Sequence, residues 1–459
     1  MSRRLSKRIT VGWLGLHLAV FSPAAIWPNQ SVAEGSFFDA MEFRGLAETS
    51  VAIETHDGDL QKWDLVFKPE LNWRLSSDIR LTAIGRIRID PVDKLEPGRP
   101  RNQGSFNSPA TRRRFAGEAA DFELREFFLD AYVGRAALRV GKQQIVWGQA
   151  DGLRVLDVVN PLDFREFILP EFEDRRIPLW TFNAEVPIGD WTAQFIWIPD
   201  HSYDALPEPG ATFSFTTPLF VPHPDPVLIG AGPVVINEQR RPNRFIRDDD
   251  YGARLTAFLG GWDISLNYFY HYQDQAVQFQ HRIPGGGVAI EPEYRRTHLV
   301  GGTFSNAFGD FTLRGEVGYS TDRYFLTRNP GDEDGVIETG ALGYVLGLDY
   351  QYDADLRVSG QLFQSTLMDR PGGTVRDRVE SQATLLVEKE FLNDRLTASL
   401  LAIQSLNDGD GVVQADLEYE YRSNVILKLG FDVFYGDRDG LFGEFDDADR
   451  VTFGVEVGF

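Results

Sequence analysis

The sequence predicts an all-β chain, a transmembrane antiparallel β-barrel of about 18 strands with 16 the next choice. Three observations predict it. Apolar and polar residues alternate in segments too long for ordinary globular strands. Aromatic residues sit near the ends of the apolar faces. Short connections alternate with long ones along the chain.

The alternation is plainest in the second half. Trp262, Ile264, Leu266, Tyr268, Tyr270 and Tyr272 alternate with Asp263, Ser265, Asn267, Phe269, His271 and Gln273. Val413, Ala415, Leu417, Tyr419 and Tyr421 are set against Gln414, Asp416, Glu418, Glu420 and Arg422. A period of two marks a strand with one apolar and one polar face. The segments 63–75, 310–321 and 378–391 exceed the roughly five or six residues of a globular strand. They meet the roughly 9–11 that a tilted membrane strand needs. Pairs such as Trp63 and Trp73, or Trp191 and Trp197, bracket apolar faces in the manner of interfacial aromatic girdles.

The expected strands begin near Met41, Trp63, Ile79, Phe122, Ala136 and Leu179, then Trp191, Tyr251, Trp262, Glu293, Asp310 and Thr339. The remaining six begin near Asp355, Arg378, Arg395, Val412, Asn424 and Arg450. Every second connection is tight, as at Gly134-Arg135, Gly260-Gly261 and Arg422-Ser423, whereas 91–121, 148–178, 200–249, 274–292 and 323–337 are long. Outer-membrane barrels have short periplasmic turns and long external loops; a soluble sandwich has no reason to keep strict alternation.

The two ends of the chain agree with export. Arg3, Arg4, Lys7 and Arg8 precede the apolar run Ile9–Phe21, and Ser31-Val32-Ala33 offers a small-residue cleavage site, so residues 1–33 read as a cleaved signal peptide. The chain closes on Val451, Phe453, Val455, Val457 and Phe459 at alternating positions. That pattern resembles the C-terminal assembly signal of Gram-negative outer-membrane proteins, which implies the barrel assembly machinery as a partner. Residues 34–459 then form one barrel domain in the cell outer membrane, in contact with its lipid and lipopolysaccharide.

Composition narrows the function. A formal charge of -22 argues against a nucleic-acid partner. The absence of cysteine excludes a disulfide-stapled scaffold. After Phe21 no stretch is apolar for 18 residues, which excludes helical membrane spans. The mature histidines are scattered, and no G-x-S-x-G, H-E-x-x-H or phosphate-binding glycine loop occurs. The acidic turns at 57–59, 407–411 and 437–440 lack the spacing and closing Glu of an EF-hand. The expectation is no enzyme, no cofactor and no metal.

The segment 148–178 breaks the strand rhythm, which stops after Trp147. Phe164, Phe167, Ile168 and Phe172 are too apolar for a solvated tip, and Pro161 and Pro170 interrupt regular structure. The economical reading folds this loop into the lumen, where its opposed charges Asp151, Arg154, Asp157, Asp163, Arg165 and Glu166 would form a constriction with a transverse field. A surface loop with internal ion pairs fits the spacing equally well. The loop 200–249 is Pro-rich and reads as an extended external cover rather than a strand pair.

The run GKQQIVWGQADGLRVLDVVNP carries a family resemblance through Gly141, Lys142, Gln143, Trp147, Gly148, Asp157, Asn160 and Pro161. It resembles an uncharacterised family of proteobacterial outer-membrane proteins with a domain of unknown function. The resemblance implies a part in moving hydrophobic compounds or lipids across the envelope, with periplasmic and inner-membrane transport partners. It brings no catalytic or ligand residues.

The polar strand faces should line a water-filled lumen. Arg80, Arg86 and Arg88 form a basic set on a strand with Thr82, and Asp416, Glu418 and Glu420 an acidic set expected on an opposing wall; Gln382, Thr384 and Glu388 belong to the same interior. The leading expectation is an outer-membrane channel or facilitator for small molecules. The alternatives are a lipase-like surface enzyme and a plugged structural or adhesin barrel.

Overall fold

The computed structural model describes residues 40–98, 108–224, 232–329 and 331–459; the expected signal peptide at 1–33 lies outside them. Eighteen antiparallel strands close into a barrel. They are β1 (Met41–Glu54), β2 (Leu60–Arg74), β3 (Ile79–Ile89), β4 (Ala120–Val133), β5 (Ala136–Gln143) and β6 (Leu179–Ile188). Next come β7 (Trp191–Ile198), β8 (Asp250–Leu259), β9 (Trp262–Tyr272), β10 (Arg296–Phe308), β11 (Phe311–Leu326) and β12 (Val336–Gln351). The last are β13 (Leu356–Leu367), β14 (Val379–Phe391), β15 (Leu396–Ser405), β16 (Gly411–Arg422), β17 (Val425–Tyr435) and β18 (Arg450–Gly458). Each begins within three residues of its expected start.

Alternation sorts the side chains as expected. On β12, Leu346 and Leu348 face outward at 51% and 49% exposure, and Leu346 lies opposite the outward Leu362 of β13. Thr384 of β14 and Gln361 of β13 are buried on the inner side. All described short turns, such as 134–135, 260–261 and 423–424, gather at one end, and the long loops at the other.

Closure sets β18 beside β1, from Leu46 opposite Gly458 to Glu54 opposite Arg450. Gly45 and Phe459 exchange backbone hydrogen bonds of 3.0 Å each. The Phe459 ring stacks on Phe67 with centroids 5.7 Å apart, and it fills the space a Cβ on Gly45 would take, 2.2 Å away. The final aromatic thus belongs to the wall. In lipid this closure matters, because an open edge would leave backbone groups unsatisfied at several kcal/mol each.

Two connections differ from expectation. The wall strand ends at Gln143 rather than running to Trp147. The connection 273–295 also carries its own hairpin, Val277–Arg282 with Val288–Glu293, joined in parallel by Val234–Ile236 from the Pro-rich loop. Val277, Phe279, Val288 and Ile290 are buried, so the same period of two that builds the wall builds this small sheet outside it. The Pro-rich stretch is therefore not wholly an extended cover.

Candidate functional site

The family-like motif forms the root of the loop 144–178 and turns it inward. Gly141 has φ of 137°, and a Cβ there would lie 2.1 Å from the Phe127 carbonyl oxygen, so only glycine permits this kink in the wall. Lys142 is buried and donates from Nζ to the Leu124 carbonyl at 2.5 Å. Gln143 donates from Nε2 to the Thr181 carbonyl at 3.1 Å. Beyond it, Asn160 replaces the sheet partner. Its Oδ1 accepts from Ile145 N at 2.7 Å, and its Nδ2 donates to the Ile177 carbonyl at 2.9 Å.

One side chain therefore ties the departing and returning ends of the loop together. The Pro161 carbonyl accepts from Ile177 N at 2.8 Å. Gly148 lies against Asp157, whose Oδ2 accepts from Arg176 Nε and Nη2 at 2.9 and 2.6 Å. Arg154 donates to the Asp157 and Asn160 carbonyls at 3.2 and 3.1 Å.

From this root the loop crosses the lumen. Trp147 is fully buried, donates from Nε1 to Gln194 Oε1 at 2.9 Å, and meets Phe269 edge-on. With Leu156 and Val159 it packs on the inward residues Ile196, Ile198, Phe269 and Leu299. Glu316 on β11 accepts from the Gln149 and Leu156 amides. Asp151 accepts from Arg314 on β11 and Gln361 on β13.

Farther along, Phe167 and Ile168 reach the opposite wall at Ile403, Val412 and Phe434. Phe213 of the Pro-rich loop joins them there, with Phe442 and Phe445 from the last long loop. Phe167 lies 4.7 Å from Phe445 and 5.8 Å from Phe442, ring to ring. This aromatic group caps the long-loop end of the barrel on that side.

Below the cap lies a polar cavity of about 630 Å³. Its lining runs from Arg450 and Gln414 to Thr397, Glu418 and Lys428, the latter three close to short turns. Glu166 sits at its head and accepts from Lys62 Nζ at 2.6 Å, Arg450 Nη1 at 2.9 Å and Arg88 Nη2 at 3.3 Å. Burial pushes the Glu166 carboxyl up, but Lys62, Arg450 and Arg88 together outweigh it and hold the group well below the usual carboxylate range. Arg88 also binds Asp64 at 2.9 Å, Arg450 binds Asp432 at 2.8 Å, and Lys68 binds Asp174 at 2.5 Å. Asp163 pairs with both Arg165 and Arg113.

The six expected constriction residues thus divide. Asp151, Asp163, Arg165 and Glu166 line the cavity, whereas Arg154 and Asp157 lock the loop root. The basic and acidic strand sets both reach the cavity, through Arg86 and Arg88 on β3 and Asp416 and Glu418 on β16. These strands are separated around the barrel only by β17, β18, β1 and β2, so the two sets flank one side of the lumen instead of opposing each other.

Arg175, one of the loop's mixed charges, had no expected role of its own. It is 4% exposed, lines the cavity and stacks on Phe172 at 4.2 Å, and burial followed by Arg154 lowers its guanidinium's affinity for the proton. The acidic turns at 407–411 and 437–440 have structural work. Asp410 is fully buried and accepts from the Phe442 and Gly443 amides at 2.6 and 3.2 Å. Among the described residues the carboxylate group able to converge on an ion is Asp355, Glu390 and Asp394, at a short turn outside the cavity.

A family model described as a protein of unknown function (DUF1302) matches residues 55–391. No curated protein matches the sequence. Among solved structures, Pseudomonas aeruginosa OccK2 (OpdF), in complex with glucuronate, covers 92% of this chain and 98% of its own at 11% identity, with a TM-score of 0.50. Acinetobacter baumannii OccAB2 covers 93% and 99% at 12% identity and a TM-score of 0.49. Salmonella typhi OmpF, in complex with daunomycin, covers 91% and 97% at 10% identity and a TM-score of 0.42. The fold is that of the outer-membrane porins.

Proposed function

We propose that this chain, which belongs to the DUF1302 family, is an outer-membrane channel that passes selected small molecules by diffusion. The observation that carries the reading is the charged cavity of about 630 Å³ beneath the inward loop. A barrel wall needs only enough polar surface to meet water, whereas here both charge signs converge on one narrow space, as in a selectivity region. The charged groups of both signs that line this space support a channel over a surface enzyme. In this reading the long loops face outward, the short turns face the periplasm, and the outward row ending at Phe459 serves assembly. The constriction is formed by Asp151, Asp163, Arg165 and Glu166 with their wall partners.

The test is conductance of the purified, heat-modifiable barrel in planar bilayers, with reversal potentials measured across a salt gradient. Discrete channel events with a defined ion preference are expected. A correctly folded barrel that stays silent supports a second reading, a plugged structural barrel, which the aromatic cap around Phe167 specifically favours.

A further inference from the structure

Every other cationic side chain lining the cavity has a carboxylate oxygen within 4.0 Å: Lys62, Arg88 and Arg450 share Glu166, Lys68 has Asp174, and Lys428 has Glu456. Arg86, Arg113 and Arg165 are paired likewise. Arg175 is the exception among the described residues. Its Nε finds no hydrogen-bond partner, and its guanidinium stacks on the Phe172 ring at 4.2 Å. A guanidinium is a planar fork of donors that matches a carboxylate or phosphate, and a buried one left without a partner is costly.

Glu171, Asp416 and Glu388 also lack a cation within that distance, but the first two are exposed to the cavity and Glu388 is half-buried. Arg175 is only 4% exposed and has far less access to water. The same cavity has an apolar stretch of lining in Ile168, Leu169, Pro170, Phe172, Leu386 and Leu401, and Phe172 of that stretch lies against Arg175. Head and platform share one cavity, joined at Phe172.

We propose that Arg175 anchors the oxyanion head of an amphiphilic ligand whose apolar body lies on the Ile168–Phe172 stretch, Leu386 and Leu401. The inference deepens the channel reading by naming a permeant class, yet binding at the site is measurable without conduction.

The experiment titrates octanoate, octyl phosphate and the neutral octanamide into the full barrel in nanodiscs, with empty nanodiscs as the blank. Saturable octanoate or octyl phosphate binding is expected, the stronger of the two identifying the head as carboxylate or phosphate, with octanamide at least tenfold weaker. Arg175→Met should weaken the oxyanion ligands tenfold or more, and Arg175→Lys should weaken them less.

Because Arg175→Met removes a buried unpaired charge, it should leave the melting temperature unchanged or raised. A lowered melting temperature with binding intact would show a packing role and overturn the site. Equal binding of octanoate and octanamide would overturn it too. Binding through Arg175 in a barrel that does not conduct would retain the site and remove the channel; conduction without oxyanion preference would do the reverse.

Discussion

One arc of the barrel interior is dry and the other is wet. Along β7, β9 and β10 the inward positions Ile196, Ile198, Phe269 and Leu299 are apolar, and the inward loop covers them with Trp147, Leu156 and Val159. From β14 around to β3, below the aromatic cap on Ile403, Val412 and Phe434, the inward positions include Glu388, Asp416, Lys428, Arg450, Lys62 and Arg88, which face the polar cavity and the loop's Glu166. The outer face is apolar on both arcs. What differs is the neighbour across the lumen, and it decides which residues the inner face carries. The loop is amphipathic in a global sense, presenting its first half to the dry arc and its charged middle to the wet one.

Replacing residues 151–176 with a Gly-Ser linker should erase the distinction most completely. Single-channel conductance should rise severalfold and ion discrimination should weaken, while the exposed apolar arc binds a hydrophobic dye. Unchanged conductance would mean the wet arc alone limits passage.

Trp147→Ala removes the largest fully buried side chain of the dry arc and should cost about 3–5 kcal/mol, read from urea unfolding in detergent or lipid. Outside the barrel, Leu346→Arg should cost about 2–4 kcal/mol near the midplane. Gln382→Arg on the inner face should cost far less and instead shift reversal potential. Equal destabilisation by the two would break the inside–outside register on which the comparison rests.

Glu166→Gln strands three cations at the head of the wet arc. A loss of about 1.5–3 kcal/mol is expected, together with a shift toward anion preference in the reversal potential. Since the Glu166 carboxyl is held low, its contribution is fully present above the ordinary Glu range and is lost only as pH falls through the depressed folded value. The variant's stability deficit should therefore persist through mildly acid pH.

The smallest effect is expected at Asp274, in the connection 273–295, whose carboxyl is raised well above its usual value by burial and then by Asp204. A raised acid is penalised in the fold wherever it is ionised, and the penalty disappears as pH falls through the raised value. Asp274→Asn should thus raise the melting temperature slightly at pH 8 and lose that advantage in acid.

Strand number and position were legible because lipid imposes a period of two on every wall segment, from Met41 to Phe459. The direction of the loop was not, since its apolar residues have the same spacing whether they pack inward or outward. One signal was available: Phe269 stands in the polar row of β9 between Asn267 and His271, and such a residue needs a dry partner inside the barrel. Arg175 was hidden by its neighbours. Asp174 beside it looks like a local mate but is engaged elsewhere, with Lys68. Pairing in space, not proximity along the chain, decides which cation is left over.

The three cations on Glu166 come from β2, β3 and β18, so they straddle the place where the last strand meets the first. Arg450 reaches Glu166 only when β18 has docked on β1. Zipping the barrel shut and seating the loop are consequently one cooperative event, with the loop acting as a latch on the seam. A chain whose interior is not yet arranged has a weaker final joint, and a chain whose joint is open lacks one of the bonds that hold its interior.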